Sequence, residues 1–322
     1  MLNVQHSTFN IQHYSWKRPR MNNDAFLVRF WGTRGSFPVP GPGTVRYGGN
    51  TTCVEIQAGP HTLIIDAGTG IINLGHDMLR RAREQGGAPI RATLLLTHMH
   101  HDHTQGFPYF PPAYIGTSVL YILGPRTFEE DLEEALNHAV LPPSFPVSLQ
   151  DLPSLKVVRS LRETETVLID GPHSEPRVHN IYHEQIVTGP DTLRVRIHKS
   201  YAHPRNGVYI YRIEWHDRSL VFASDTEGYV DTDQRLVQFA RDTDLIIHDA
   251  QYTADDYAGK QGWGHSTPEM ACAVAKMAGA RRLVLFHHEP RYDDAKIAQV
   301  EREAQRIFPA TQAAYEGLEI EL

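Results

Sequence analysis

Residues 92–103 read Ala-Thr-Leu-Leu-Leu-Thr-His-Met-His-His-Asp-His: an apolar run stops at Thr97, and His98, His100, Asp102 and His103 follow within six positions. The run is short enough to be a buried strand. A regular strand would send alternate side chains to opposite faces, so the four polar groups converge only on a strand-to-helix loop. Burying several imidazoles and a carboxylate without partners would cost several kcal/mol. The segment therefore asks for a metal.

Two metals need an anionic bridge and further nitrogen ligands, and the chain offers both at the ends of apolar stretches. Asp225 follows Ser219-Leu-Val-Phe-Ala-Ser, His287 ends Arg282-Leu-Val-Leu-Phe, and His203 sits in a loop between two strand-like stretches. A rigid sheet displays catalytic groups at such strand ends. His98 and His100 can serve one cation while Asp102 and His103 reach a second. Imidazole and carboxylate donors suit Zn²⁺, and Mn²⁺ or Fe²⁺ fit the same set. Two cations about 3.5–4 Å apart would hold a bridging hydroxide and polarise a carbonyl or phosphoryl oxygen.

The chain has 19 histidines, so others compete for these roles. His198 falls on the polar side of its strand beside Arg194 and Arg196 and is expected to be exposed, which favours His203. His101 is expected at the surface, and His288 beside His287 as a supporting neighbour. His248 and Asp249 end another apolar stretch and could touch the site or form buried structural hydrogen bonds.

Strand signals recur at residues 26–30, 53–56, 62–65, 92–96, 193–197, 208–213, 220–223, 245–247 and 283–286. Helical patterns lie between them. Ser266-Thr-Pro-Glu269 reads as a capping box, with Ala271, Val274, Ala275 and Ala278 as the apolar face and Gly279 as the stop. Asp231-Thr-Asp-Gln234 opens another helix, and Ile297, Val300, Ala304 and Ile307 mark the last. The pattern predicts a sheet-rich α/β chain of the α+β type with helices on the outer faces. Residues 1–20 are expected to be an extension outside a single domain over 21–322, and the polar stretch 170–190 a solvated loop.

With 41% apolar residues the chain can bury a full core, and its net charge of −7 provides no global basic field for a nucleic-acid backbone. Two cysteines are too few for a disulfide framework and suit a reducing cytosol. With no signal pattern and no run of about 18 apolar residues, a cytoplasmic location and no membrane partner are expected.

The segment Thr97-His-Met-His-His-Asp-His103 resembles the pattern of the metallo-β-lactamase superfamily, and the resemblance runs from about Phe30 to Leu322. It is most similar to the phosphodiesterase branch that includes ribonuclease Z and the cyclic-phosphate phosphodiesterases. Gly32-Thr-Arg-Gly-Ser36, Asn50-Thr-Thr-Cys53, Asp66-Ala-Gly-Thr-Gly70, Ala223-Ser-Asp-Thr226, His265-Ser-Thr267 and Leu285-Phe-His287 look like that branch's further motifs. The resemblance implies an αββα sandwich, an Asp225 bridge, a catalytic His265 and a metal-binding His287. Asp102 joins His265 as a catalytic candidate.

Backbone N–H groups of the 32–36 loop could cradle phosphate with Arg34 adding charge, although glycine packing and a structural Arg34 explain the motif equally well. Arg34, Ser36, Asn50 and Arg205 are the substrate-contact candidates, with Asn206 beside them. Asp66 reads as scaffold that bonds a ligand histidine's second nitrogen. Ribonuclease Z enzymes commonly carry a basic, Gly- and Pro-rich arm that grips transfer RNA, and none is evident here. Pro108–Val147, within an inserted stretch of about 108–190, instead looks like a compact cap over the site.

The expected function is hydrolysis of a small or cyclic phosphodiester. A ribonuclease Z-like endonuclease, a thioesterase or lactonase, and a non-catalytic metal-bound sensor are the alternatives. Nucleic acid is disfavoured as a partner, and a homodimer is expected by analogy.

Overall fold

Strands buried on both faces give this chain its frame. In residues 63–65 Leu63 and Ile65 turn to one apolar cluster and Ile64 to another. Leu245, Ile246 and Ile247 repeat the division. Such strands read as continuous apolar runs because each face is covered. The computed structural model describes residues 24–322 except 128, 141–144, 204–205 and 229–231.

The first half supplies β1 (Phe26–Gly32), β2 (Cys53–Ala58), β3 (His61–Ile65), α1 (Gly70–Glu84), β4 (Arg91–Leu95), α2 (His101–Thr104), β5 (Val119–Pro125), α3 (Leu132–Ala139), β6 (Leu155–Leu161), β7 (Glu165–Ile169) and β8 (Arg177–Asn180). The second half supplies β9 (Leu193–Ser200), β10 (Val208–Trp215), β11 (Arg218–Ala223), α4 (Gln234–Phe239), β12 (Leu245–Asp249), α5 (Ala254–Tyr257), α6 (Pro268–Ala278), β13 (Arg282–Phe286), α7 (Asp294–Ile307), β14 (Thr311–Ala313) and β15 (Glu319–Glu321).

One sheet runs β15-β1-β2-β3-β4-β5-β6 and the other β14-β13-β12-β11-β10-β9-β7-β8. Each has a parallel portion, β3 to β6 in the first and β11 to β14 in the second. Phe30, Leu95, Trp215, Phe222 and Phe286 fill the space between the sheets. Ile71 and Leu74 of α1 cover the outside of the first sheet, and Ala271 and Ala275 of α6 with Val300 of α7 cover the second. The layers are α, β, β and α, as the resemblance implied.

The parallel strands β4, β11, β12 and β13 end at a common edge, where open α/β sheets display their ligands. Two hydrogen bonds stitch the sheets there: Tyr209 N donates to Thr97 O (2.9 Å) and the Tyr211 hydroxyl to Leu96 O (2.6 Å).

The stretch 108–190 is not the inserted cap the sequence suggested. β5 and β6 complete the first sheet, while β7 and β8 join the second. β5 lies between the two proline pairs of this stretch, and of its described residues Pro125, Arg126, Thr127, Glu129, Glu130 and two residues of α3 line the mouth of the site. The 170–190 loop likewise contains β8, paired antiparallel to β7. In α6 the cap is Thr267, whose side chain accepts from Met270 N, one residue later than expected. Asp233 caps α4, and Asp231 lies outside the described residues, as does the expected extension 1–20. No helix among the described residues is long and apolar enough to cross a membrane.

Candidate metal centre

The β4 strand ends at Leu95 and delivers His98 and His100 on its loop, and α2 then turns Asp102 and His103 to the same side. Asp225 follows β11, and His287 follows β13. His203 comes from the loop between β9 and β10. Ligand atoms of His98, His100 and His203 lie within 4.8 Å of one another, as do those of Asp102, His103, Asp225 and His287. His203 Nε2 is 3.0 Å from His100 Nδ1, and His103 Nε2 is 3.3 Å from His287 Nε2. All seven ligands expected from the sequence are thus brought together in two clusters.

Asp225 stands between the clusters. Its Oδ1 lies 3.8 Å from His98 Nε2 and 3.9 Å from His203 Nε2, while Oδ2 lies 3.1 Å from His103 Nε2 and 3.3 Å from His287 Nε2. Burial pushes the carboxyl's pKa up, but His287, His103 and His98 outweigh it and hold Asp225 ionised. Burial also pushes His98 well down and lowers His203 to about 4, whereas for His103 burial is outweighed by the carboxylates of Asp225, Asp102 and Asp66, which push the imidazole up. Neutral imidazoles and ionised carboxylates are the forms that bind metal. Moreover, the buried His98 Nε2 has no hydrogen-bond partner among the described residues, a cost that a cation would remove. The donor set fits two divalent cations.

The far nitrogens of the rings are anchored. His103 Nδ1 lies 2.8 Å from Asp66 Oδ2, and Asp66 in turn accepts from Thr97 N and Oγ1. His98 Nδ1 meets Thr97 Oγ1 (3.1 Å), His203 Nδ1 the Gly264 carbonyl (3.2 Å), and His287 Nδ1 Gln251 Oε1 (2.9 Å). Such contacts fix tautomer and ring orientation. Ser36, Asp66, Asp225 and His287 are four of the seven described non-glycine residues with positive φ. Backbone strain of about 1–3 kcal/mol each is therefore concentrated at the centre.

His265 is buried, stacked on His287 with ring centroids 5.0 Å apart, and its Nδ1 lies 2.8 Å from Asp249 Oδ2. Burial alone would lower its pKa, but Asp249, then Asp225 and Asp102, push it up to about 9. A helix N-terminus tends to lower the pKa of a nearby histidine. With Thr267 as the cap, His265 stands further from the helix, and the carboxylates dominate.

Three substrate-contact candidates change role or fall outside view. Arg34 is fully buried, its Nε donating to Gly48 O (2.8 Å) and Nη1 to Glu289 O (3.1 Å) and Tyr292 O (2.7 Å). It braces loops, and its side chain presents no exposed surface. Asn50 is bound to Glu316 and Thr69, and Arg205 lies outside the described residues. Ser36 stays at the centre, but through its backbone: Ser36 N donates to Asp102 Oδ2 (2.7 Å). The glycines beside it serve close packing, since a Cβ at Gly35 would lie 2.4 Å from the His287 ring.

His198 is buried rather than exposed, tilted against Phe239 and 3.4 Å from Glu163. His101 is exposed as expected, and His288 turns away to the Ala314 carbonyl (2.9 Å). His248 bonds the Asp249 carbonyl (2.7 Å). Sequence reasoning left the part of Asp249 open and missed Gln251 and Glu227. The position of Asp249 at the end of an apolar strand was the one available signal.

Beside the His98, His100 and His203 cluster opens a cavity of about 340 Å³, whose lining includes Met99, Pro125, Arg126, Glu129, Glu130 and Asn206.

The beta-lactamase superfamily domain model matches residues 61–288. Ribonuclease Z of Gemmatimonas aurantiaca is 28% identical over 321 residues, covering 92% of this chain and 96% of that protein. Ribonuclease Z of Bacillus subtilis is 26% identical, covering 70% and 80%. The metallo-β-lactamase fold protein YhfI from Bacillus subtilis superposes with a TM-score of 0.64 at 19% identity over 93% of this chain and 100% of that one. Human tRNase Z, short form, gives 0.56 at 20% identity over 91% and 98%. A diphosphatase of the PhnP family gives 0.57 at 15% identity over 92% and 98%. With its two facing sheets, its outer helices and this family match, the chain belongs to the beta-lactamase superfamily, and it is similar over most of its length to ribonuclease Z.

Proposed function

We propose that the chain is a metal-dependent phosphodiesterase acting on a small or cyclic phosphodiester. The observation that carries this reading is Asp225, whose two oxygens face two separate histidine clusters. His98, His100 and His203 would hold one cation, Asp102, His103 and His287 the other, with Asp225 shared. Zn²⁺ suits the donors best, and Mn²⁺ or Fe²⁺ fit them too. When bound, such a pair supplies Lewis-acid polarisation of a phosphoryl oxygen and acidifies water.

The chain's own residues do the rest. Asp66, Gln251 and the Gly264 carbonyl hold the ligand rings in orientation. Asp249 occupies His265 Nδ1, so Nε2 is the nitrogen left to donate to a phosphoryl oxygen or to hand a proton to the leaving alkoxide. Cations on Asp225 and Asp102 would neutralise two of the carboxylates that favour the charged ring, and Asp249 would remain to stabilise it.

The cavity supports a small substrate. Its 340 Å³ falls within the range of about 300–1,000 Å³ of pockets that enclose a small molecule. Arg126 is the only Lys or Arg among its described lining residues, against Glu129 and Glu130, a poor match to a long polyanion. Processing of transfer RNA precursors is the second reading, favoured by the relatives named ribonuclease Z.

Turnover of cyclic nucleotides, aryl phosphodiesters, precursor transfer RNA and thioesters by metal-reconstituted protein separates the readings. We expect small diesters to be cleaved with the highest kcat/KM and with little salt dependence. Efficient 3′ trimming of precursor transfer RNA that falls steeply with added salt, as counterion release requires, would reverse the ranking. Preferred turnover of thioesters would overturn the phosphodiesterase reading.

A further inference from the structure

Resting on the reading of the two clusters as a metal centre, we propose that Glu227 is a positioning residue for it. Its carboxylate clamps the loop from Tyr257 to Gly264 and so sets the orientation of His203. Glu227 is buried, and its oxygens take three donors: Oε1 accepts from the Tyr257 hydroxyl (2.7 Å) and Gly262 N (2.7 Å), and Oε2 from Gly264 N (2.8 Å). Gly262 and Gly264 have φ of 84° and 89°, a left-handed conformation that glycine adopts without penalty. That conformation turns two backbone N–H groups toward one carboxylate.

The held residue is the one that touches the centre. The Gly264 carbonyl accepts from His203 Nδ1 (3.2 Å), which leaves His203 Nε2 to face His100 Nδ1 and Asp225 Oδ1. The next residue in the chain is His265. On the other side, Glu227 lies two residues beyond Asp225 on the segment that leaves β11. Ser266 fastens the same two segments, donating to Thr226 O (2.6 Å) and accepting from Gly228 N (3.1 Å). The bridge and one nitrogen ligand are thereby fixed relative to each other through Glu227. A carboxylate is needed because it only accepts; a glutamine would turn its NH₂ group toward one of the donors.

The test is a cobalt(II) titration of metal-free full-length wild type, Glu227→Gln and Tyr257→Phe, read by chelator competition and by the visible ligand-field bands. Loss of a partner that orients a ligand histidine typically weakens metal affinity by about 10–100-fold. We expect a loss of that size for one of the two ions in Glu227→Gln, with changed bands for that ion and the other ion unaffected. Tyr257→Phe, which removes one of the three donors and leaves both glycine N–H bonds, is expected to lose less affinity than Glu227→Gln; a larger loss would overturn the assignment of the clamp to the glycine N–H groups. A folded Glu227→Gln with unchanged affinities and bands, in a wild type that binds two ions, would overturn the clamp alone. A wild type that takes up no cobalt would overturn the underlying metal-centre reading and the clamp with it. Nitrogen-15 NMR of zinc-loaded wild type needs no variant: His203 must be protonated at Nδ1, and a ring protonated at Nε2 would overturn the clamp.

Discussion

His265 is the residue whose surroundings say most about its work. It is stacked on His287, tied to Asp249 and 4.0 Å from Asp225 Oδ1, close to the centre but with Nδ1 already engaged. As a proton donor it should contribute about 10²–10⁴-fold for a poor leaving group. We therefore expect His265→Ala to reduce kcat on an alkyl or cyclic phosphodiester far more than on a nitrophenyl diester, with metal content near wild type. Equal losses on both substrates, or clear loss of metal, would reduce it to a residue that orients its loop. The convergence of single residues was legible in the sequence where chemistry left little choice: four candidate ligands in six positions have no comfortable metal-free burial, and the fold does bring them together. Single residues were less legible where one motif serves two ends. Arg34 amid glycines reads as a phosphate cradle or a brace, and only the carbonyls of Gly48, Glu289 and Tyr292 around it decide for the brace.

At the scale of elements, the centre depends on how closely loops pass one another. Gly35 belongs to the loop after β1 and lies against the His287 ring, where a Cβ would come within 2.4 Å. We expect Gly35→Ala to displace that ring and lower affinity for the second cation, measured by chelator competition, while circular dichroism shows an intact fold. Unchanged affinity would mean that the β13 loop yields. The apolar runs of β3, β4, β11, β12 and β13 were readable because both their faces are covered. β6 was not: it is an edge strand whose side chains alternate between exposed and half-buried up to Leu161, so it lacks that apolar signature. β5, buried along its whole length, was hidden by the proline-rich segments on either side. The cap of α6 shifted from Ser266 to Thr267 because the Ser266 hydroxyl is taken by Thr226 and Gly228, tertiary partners that local pattern cannot reveal.

For the whole molecule, the two sheets meet at the candidate metal centre, so a metal bound there would be coupled to the fold. The first sheet brings His98, His100, Asp102 and His103, and strands of the second lead to His203, Asp225 and His287. Ligands that bind only the native state stabilise it by mass action, about 2.7 kcal/mol at 100 times Kd. Chelation is expected to lower Tm, and added Zn²⁺ to restore it in a concentration-dependent way; a Tm indifferent to metal would mean that the sheets are held without it. The most direct test of the account is the metal content and phosphodiesterase activity of wild type and Asp225→Ala, measured side by side. Without Asp225, two cations would be left close together with no shared anion between them. The expected result is about two transition-metal ions per wild-type chain, with much of the metal and nearly all turnover lost in the variant. Full metal occupancy in Asp225→Ala would contradict the bridge on which the centre is built.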